Sequence, residues 1–427
     1  MKNVLSIDGG GIRGIIPGLI LEHIENETGF YSAQLFDLFA GTSTGGILAL
    51  CLTKRLTLDS WQPMYSASEA VEIYRKCGLR IFPKDHYHYG NIKLINILQR
   101  AKFPSSGIDS VLQEYLGEDT RLSSALKPCV AYSVMSTDSS VVEFSSLRAG
   151  RLEQEEDYLM WEVARATSAA PTYFHPMKLS EGRYKDRGLL DGGLVVNNPA
   201  QCAYMIAQEN AETKDAVFVL SLGTGAAPFK TRTTYDEVDK RRPIDWASKT
   251  VPMIMDATSK RVHETMMRTL ASKPCHDGVC QSTQYIRLQC KLEPDCVDMD
   301  DASDKNIARL TLITEELIND NQDTIRLICE RLKQDASKQL MSKLEKVSAG
   351  EMALMGQIHA RSSVREGEFA GNFNDPVFKS LHDLEIFETV ANRNSTLRWN
   401  PYLWRHLRTA GGKESLLSWR RAAAVPS

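Results

Sequence analysis

Two stretches of this chain share a pattern that few folds can accommodate: an apolar run, an abrupt small-residue turn, and a second, longer apolar run. "VLSIDGGGIRGIIPGLIL" opens the sequence, and "LFDLFAGTSTGGILALCL" follows over residues 35–52. The short runs before each turn predict strands, the first over residues 4–8. Behind the first turn, Ile15, Ile16, Leu19, Ile20 and Ile24 recur at helical spacing and predict a helix over 15–28. A strand that turns directly into a helix, twice in succession, calls for parallel strands joined by helical crossovers. The chain is therefore expected to be α/β, with a mainly parallel and buried sheet.

The alternation continues downstream. Residues 65–100 read as mostly helical, "GIDSVLQEYLG" as a helix, and "CVAYSVMS" and "SSVVEFSS" as strands. "DYLMWEVARATSAAP" is helical until Pro171 stops it, and "AVFVLSLGTG" is a buried strand ending in a glycine turn. "TQYIRLQC" is a further strand, and "MDDASDKNIARLTLITEELI" begins an amphipathic helix with Leu310, Ile313 and Leu317 on one stripe. Residues 230–265 are less patterned and read as a loop and helix near the mouth of a site.

Composition narrows the classes. The formal net charge of −3, from 51 Lys and Arg against 54 Asp and Glu, gives no global attraction to DNA or RNA, and no nucleic-acid partner is expected. No apolar run reaches the roughly 18 residues of a membrane span, and the expected location is cytoplasmic. The nine cysteines form no recurrent framework. Cys275, Cys280, Cys290 and Cys296 cluster beside His276, but their spacing fits no common zinc motif, so free thiols are expected. His86 and His88 lie in a loop-like stretch with no other ligand at useful spacing.

Chemistry enters at "LFAGTSTGGILAL". Gly41, Ser43 and Gly45 give G-x-S-x-G between a strand-like and a helix-like run, the setting of a nucleophile elbow. The first turn also satisfies G-x-G-x-x-G through Gly9, Gly11 and Gly14, a dinucleotide fingerprint. That reading needs an acid at the end of the second strand, about 20 residues on. Asp37 lies inside the run instead, and the strand's end is taken by the serine turn. No Lys-Ser or Lys-Thr pair closes a phosphate-binding loop either. Beside an attacking serine, "GGGIRG" makes better sense as a donor of backbone N–H groups to an oxyanion. Arg13 either adds positive charge there or braces the loop. Asp191, in "LLDGGLVVNNPA", stands out as a candidate base, although Asp-Gly-Gly alone more often forms a turn bonding its own backbone. Among the histidines, His175 and His263 are the least implausible third members of a triad, and His175 reads as packing behind the "AAPTYF" helix end.

Taken together and in order, "DGGGIRG", "GTSTGG" and "DGGLVVNNP" resemble the patatin-like phospholipase family of serine lipid acyl hydrolases. "LGEDTRLSSALKPCVAYSVMSTDSSVVEFSS", "ARATSAAPTYFHP", "VLSLGTG" and "MDDASDKNIARL" extend the resemblance over residues 1–325. The resemblance implies a three-layer α/β/α sandwich and a Ser–Asp dyad rather than a triad. It casts Ser43 as nucleophile and Asp191 as general base. Gly9, Gly10, Gly11 and Arg13 match the oxyanion loop, and Gly41 and Gly45 flank the elbow. The implied reaction is calcium-independent hydrolysis of fatty-acyl esters of membrane phospholipids, with no cofactor and no metal. An aspartate can take a serine proton only if burial raises its pKa.

Residues 326–427 are expected to form a mostly helical extension beyond the hydrolase domain. From residue 393 onward there are seven Lys or Arg against one acid, Glu414, together with Trp399, Trp404 and Trp419. Such a tail suits reversible association with an anionic membrane surface. Its tryptophans could equally pack on a helical subdomain. The alternative is a regulated effector whose C-terminal part binds a signalling nucleotide or a protein, as in bacterial family members that answer to cyclic dinucleotides in antiviral defence.

Overall fold

The computed structural model describes residues 2–58, 61–84, 101–149, 156–210, 217–226, 243–271 and 285–344, and three short strands within 368–399. His86, His88, Cys275, Cys280, Trp404, Trp419 and most of the basic tail lie outside the described residues. Cys290 and Cys296 are buried free thiols.

Strand β1 (Lys2–Ile7) sits mid-sheet, and its Val4, Leu5 and Ile7 are wholly buried. It pairs in parallel with β2 (Leu38–Thr42) on one edge. From β1, helix α1 (Ile15–Thr28) makes the crossover. The elbow follows β2 and starts helix α2 (Thr44–Thr53), every residue of which is buried. Helices α3 (Ala67–Ile81) and α4 (Ser105–Leu116) come next. Strand β3 (Cys129–Met135) then lies parallel to β2, and β4 (Val141–Ser145) turns back antiparallel along its outer edge. Helix α5 (Met160–Thr167), strand β5 (Leu189–Asp191) and helix α6 (Ala200–Glu209) precede β6 (Val217–Leu222). Strand β6 returns to the free edge of β1. After the long helix α7 (Pro243–Ala271), β7 (Tyr285–Leu288) extends that edge in parallel. The sheet order is thus β4-β3-β2-β1-β6-β7, with β5 paired to β3.

Helices cover both faces of this sheet. Val4, Leu38, Ala40, Val130, Tyr132, Val217 and Val219 point to one side, where they pack against Ala200, Ala203 and Tyr204 of α6 and Met266 of α7. The alternate residues Leu5, Phe39, Phe218 and Leu220 point to the other side and are equally buried. The α/β sandwich with a mainly parallel sheet expected from the sequence is what the chain adopts.

The topology sets where chemistry can occur. From β1 the chain lays strands outward in one direction, and β6 restarts on the opposite side of β1. The loops after β1, β2 and β6 therefore meet beyond the strand ends, at the switch point where open α/β sheets bind their ligands.

The chain divides into two compact units. One comprises Met1–Glu27, Tyr31–Arg55 and Pro63–Cys329, and holds everything described so far except the last residue of α1. The other comprises Thr28–Phe30, Leu56–Gln62 and Glu330–Ser427. Helix α8 (Asp304–Asp320) lies in the first unit and α9 (Gln322–Leu344) spans the boundary between them. In the second unit, β8 (Glu368–Ala370), β9 (Phe387–Thr389) and β10 (Thr396–Trp399) form an antiparallel sheet with β10 in the middle. This small sheet is not anticipated by the sequence reading, because strands of three or four residues carry no readable alternation.

Candidate active site

The elbow forms because the backbone is too crowded for anything but small residues. A Cβ on Gly41 would run into the carbonyl of Gly45, and one on Gly45 into the carbonyl of Ile7. Between them Ser43 adopts φ 54°, ψ −124°, a conformation that costs a residue with a Cβ about 1–3 kcal/mol. Surrounding bonds impose it. The Ser43 N–H donates to Thr167 Oγ1 at 2.9 Å, and that hydroxyl donates to the Tyr132 carbonyl at 2.5 Å. Thr42 Oγ1 donates to the Val196 carbonyl at 2.6 Å.

Sheet register brings the aspartate to the serine. Strand β2 ends with Thr42 opposite Tyr132 of β3. One residue further along β3, Ser133 pairs with Asp191 of the antiparallel β5. Since β4 holds the other edge of β3 at Ser133, β5 must arrive on the edge that β2 has just vacated. Ser43 leaves the sheet where Asp191 enters it, and Ser43 Oγ donates to Asp191 Oδ2 at 2.7 Å. The other carboxylate oxygen accepts the Gly193 N–H at 2.7 Å. The Asp191 side chain thus makes its own backbone turn and also reaches the serine.

Asp191 is 2% exposed. Burial pushes its carboxyl up to about 6, against the opposing pull of the Ser43 hydroxyl, the Gly193 N–H and the Arg165 guanidinium. Arg165 is itself buried in α5, held by Asp109 at 2.8 Å, Ser105 Oγ at 2.9 Å and the His175 carbonyl at 2.9 Å.

The glycine loop runs directly against the serine. A Cβ on Gly9 would lie 3.2 Å from the Cβ of Ser43. The loop is pinned by Gly9 N–H to the Asn197 carbonyl at 3.1 Å, Thr224 Oγ1 to the Gly9 carbonyl at 2.6 Å, and Ile12 N–H to the Met299 carbonyl at 2.8 Å. Arg13 is buried, and its Nε–H donates to the Gly10 carbonyl at 3.3 Å, so it braces the loop. Among the described residues, the N–H groups of Gly10, Gly11 and Thr44 have no hydrogen-bond acceptor. Asp8, at the root of the loop, is clamped by Arg287 at 2.5 and 3.1 Å and by Ser259 Oγ at 2.6 Å.

Ser43 and Asp191 open onto a partly open cavity. Gly11 and Thr44 also line it, and the remaining wall is largely apolar, with Ile12, Ile47, Tyr74, Ile81, Phe82, Ile108, Phe174, Val251, Met255 and Met299. A nucleophile and a carboxylate at the edge of an apolar chamber can attack an ester whose acyl part is a hydrocarbon chain.

Neither candidate histidine joins them. His263 Nδ1 is engaged with the Tyr285 hydroxyl at 3.1 Å. The His175 side chain is exposed, contrary to the packed position expected for it, because only its carbonyl is recruited, by Arg165. Replacing either histidine by Ala is expected to change ester turnover by less than about tenfold, whereas a general base is worth roughly two to four decades. Steady-state kinetics on a soluble ester measure this, and a collapse in a folded His263→Ala variant would restore a triad.

Thr167, Thr224, Met299 and Tyr74 were not singled out from the sequence. Their signal is weak, because each acts through one hydroxyl, carbonyl or ring contributed from a distant element.

A patatin-like phospholipase family model matches residues 5–204. The patatin group D-3 protein of Solanum tuberosum is 31% identical over 384 residues, covering 82% of this chain and 92% of the relative. Patatin-like protein 3 of Arabidopsis thaliana is 29% identical over 359 residues, covering 77% and 83%. Another Solanum tuberosum relative, named "Probable inactive patatin-3-Kuras 1", is 29% identical over 360 residues, covering 78% and 91%. Shared from the glycine loop through the helix that follows Asp191, and over most of the relatives' length, this sequence belongs to the patatin-like phospholipase family.

Proposed function

We propose that residues 1–325 form a lipid acyl hydrolase that cleaves fatty-acyl esters of membrane phospholipids through Ser43 and Asp191, working at the membrane surface. Family membership supports lipid acyl hydrolysis in general. Because one relative carries "inactive" in its name, the reading rests on an observation in this chain: the 2.7 Å bond from Ser43 Oγ to a buried carboxylate beside an apolar cavity.

In this reading the acyl chain occupies the cavity and its ester carbon lies against Ser43. Asp191 takes the hydroxyl proton as Oγ bonds to the carbonyl carbon, and the carbonyl electrons move onto oxygen. The N–H groups of Gly10, Gly11 and Thr44 receive that oxyanion, with the N-terminus of α2 adding its positive end. The intermediate collapses, the lysolipid alcohol leaves with the proton from Asp191, and an acyl-serine remains. Water then gives a proton to the same carboxylate as it bonds to the acyl carbon. The fatty acid is released as the acyl–Oγ bond breaks and Ser43 Oγ takes that proton back. No helix among the described residues is long and apolar enough to cross a membrane.

Mass spectrometry of phospholipid vesicles incubated with the protein tests the reading. Fatty acid and lysophospholipid are expected with the wild type and absent with Ser43→Ala; no products from the wild type would overturn it. The base must be ionised to accept the proton. With Asp191 held at about 6, kcat/KM is expected to rise with pH through about 6 and level off above it. A profile already flat from about pH 4.5 would mean that the working base is an ordinary exposed carboxylate.

A further inference from the structure

Tyr74 faces two ways. It projects from α3, is 4% exposed, and its ring lines the apolar cavity. Its hydroxyl lies 2.7 Å from Thr44 Oγ1 and donates to the Thr44 carbonyl at 3.3 Å. With one hydrogen on each hydroxyl, the set closes as a ring: Tyr74 O–H to the Thr44 carbonyl, and Thr44 Oγ1–H back to the Tyr74 oxygen. Burial pushes the phenol well above its ordinary range, so it stays a neutral donor. Gly14, at the far end of the glycine loop, packs on the same pair, since a Cβ there would meet Thr44 Oγ1 and lie 2.6 Å from the Tyr74 oxygen.

Thr44 follows the nucleophile directly, and its N–H is one of the unengaged donors beside Ser43. It opens a helix, so nothing within α2 fixes that N–H. Tyr74 is therefore a side chain of the cavity wall that bonds directly to the residue after Ser43. We infer that Tyr74 is a positioning residue that couples occupation of the acyl cavity to the Thr44 N–H, so that a long chain packed on the ring holds the oxyanion donor in place. This rests on the acyl-hydrolase reading above. Its chemical logic is that contact energy from a remote part of the substrate is used in the transition state, and so raises kcat rather than lowering KM.

The test compares the acetate and palmitate esters of p-nitrophenol on the full chain. Tyr74→Phe keeps the ring and removes only the hydroxyl. The ratio of kcat for palmitate to kcat for acetate is expected to fall about tenfold, the effect of one hydrogen bond made mainly in the transition state, while KM for palmitate stays within about twofold. Thr44→Val, which removes the partner hydroxyl, is expected to give the same fall, and the double variant no further fall. An unchanged ratio, or equal losses on both esters, would overturn the inference, as would a loss carried entirely in KM. If Tyr74→Phe does not fold, the ratio in Thr44→Val decides alone. Ser43→Ala run in parallel separates the two ideas. Hydrolysis surviving in that variant would sink the serine reading itself, whereas an unchanged Tyr74→Phe ratio beside an inert Ser43→Ala sinks only the coupling.

Discussion

Ser43→Ala and Asp191→Asn are each expected to lower ester turnover by at least about three to four decades while leaving a folded protein, and the double variant should be no worse than the worse single one. Nucleophile and base act as one unit, so removing either removes the proton transfer that the other needs. The structural cost is small at both positions. Ser43 is held by its backbone N–H as well as its hydroxyl, and Asn can still accept the Gly193 N–H. Asp191→Asn should even stabilise the fold. The folded carboxyl sits at about 6, above its ordinary 3.8, so the native state holds its proton more tightly than the unfolded chain does. That contribution is fully present below about pH 4 and lost as pH rises through 6. Above pH 6 the buried charge costs on the order of 2–3 kcal/mol, which the neutral amide avoids. Melting curves should therefore show Asp191→Asn gaining on the wild type between pH 4 and pH 7. A variant that melts lower at pH 7, or Asp191→Asn with near-wild-type turnover, would remove Asp191 from the base's role.

The candidate site was only partly legible in the sequence. The elbow was readable because crowding leaves a chemical trace. Gly41 and Gly45 face backbone carbonyls, and no larger residue fits, so the spacing survives as text. The alternation of strand and helix was readable for a similar reason: parallel strands such as Val217–Leu222 are buried throughout and apolar except at Ser221. Asp191 is different. Its proximity to Ser43 comes from β5 taking the edge of β3 that β2 gives up, and β5 is three residues long. Nothing in "LLD" distinguishes that strand from the end of a loop. The same holds for Thr167 and Thr224, whose hydroxyls secure the elbow and the glycine loop from α5 and from the turn after β6. Local pattern records what a residue cannot be. It does not record which distant hydroxyl a backbone N–H will meet, because that depends on sheet order.

The glycine loop yields the second large effect. Gly10→Ala is expected to lower kcat about a hundredfold, with KM within about threefold of wild type, because N–H donors to an oxyanion act on the transition state and hardly on the ground-state ester. The physical lever is contact rather than backbone strain. A Cβ on Gly10 would lie 2.6 Å from Thr224 Cβ, so either the loop or Thr224 must shift. Thr224 cannot shift freely, since its hydroxyl holds the Gly9 carbonyl at 2.6 Å. The displacement therefore falls on the loop, whose other anchors are the Asn197 and Met299 carbonyls, and the Gly10 and Gly11 N–H groups move with it. A shift of a few tenths of an ångström suffices to misalign both donors. Steady-state kinetics on one soluble ester read kcat and KM. An unchanged kcat with a raised KM would mean that the loop grips the lipid in its ground state, and the oxyanion would then have to be met by Thr44 and the end of α2 alone.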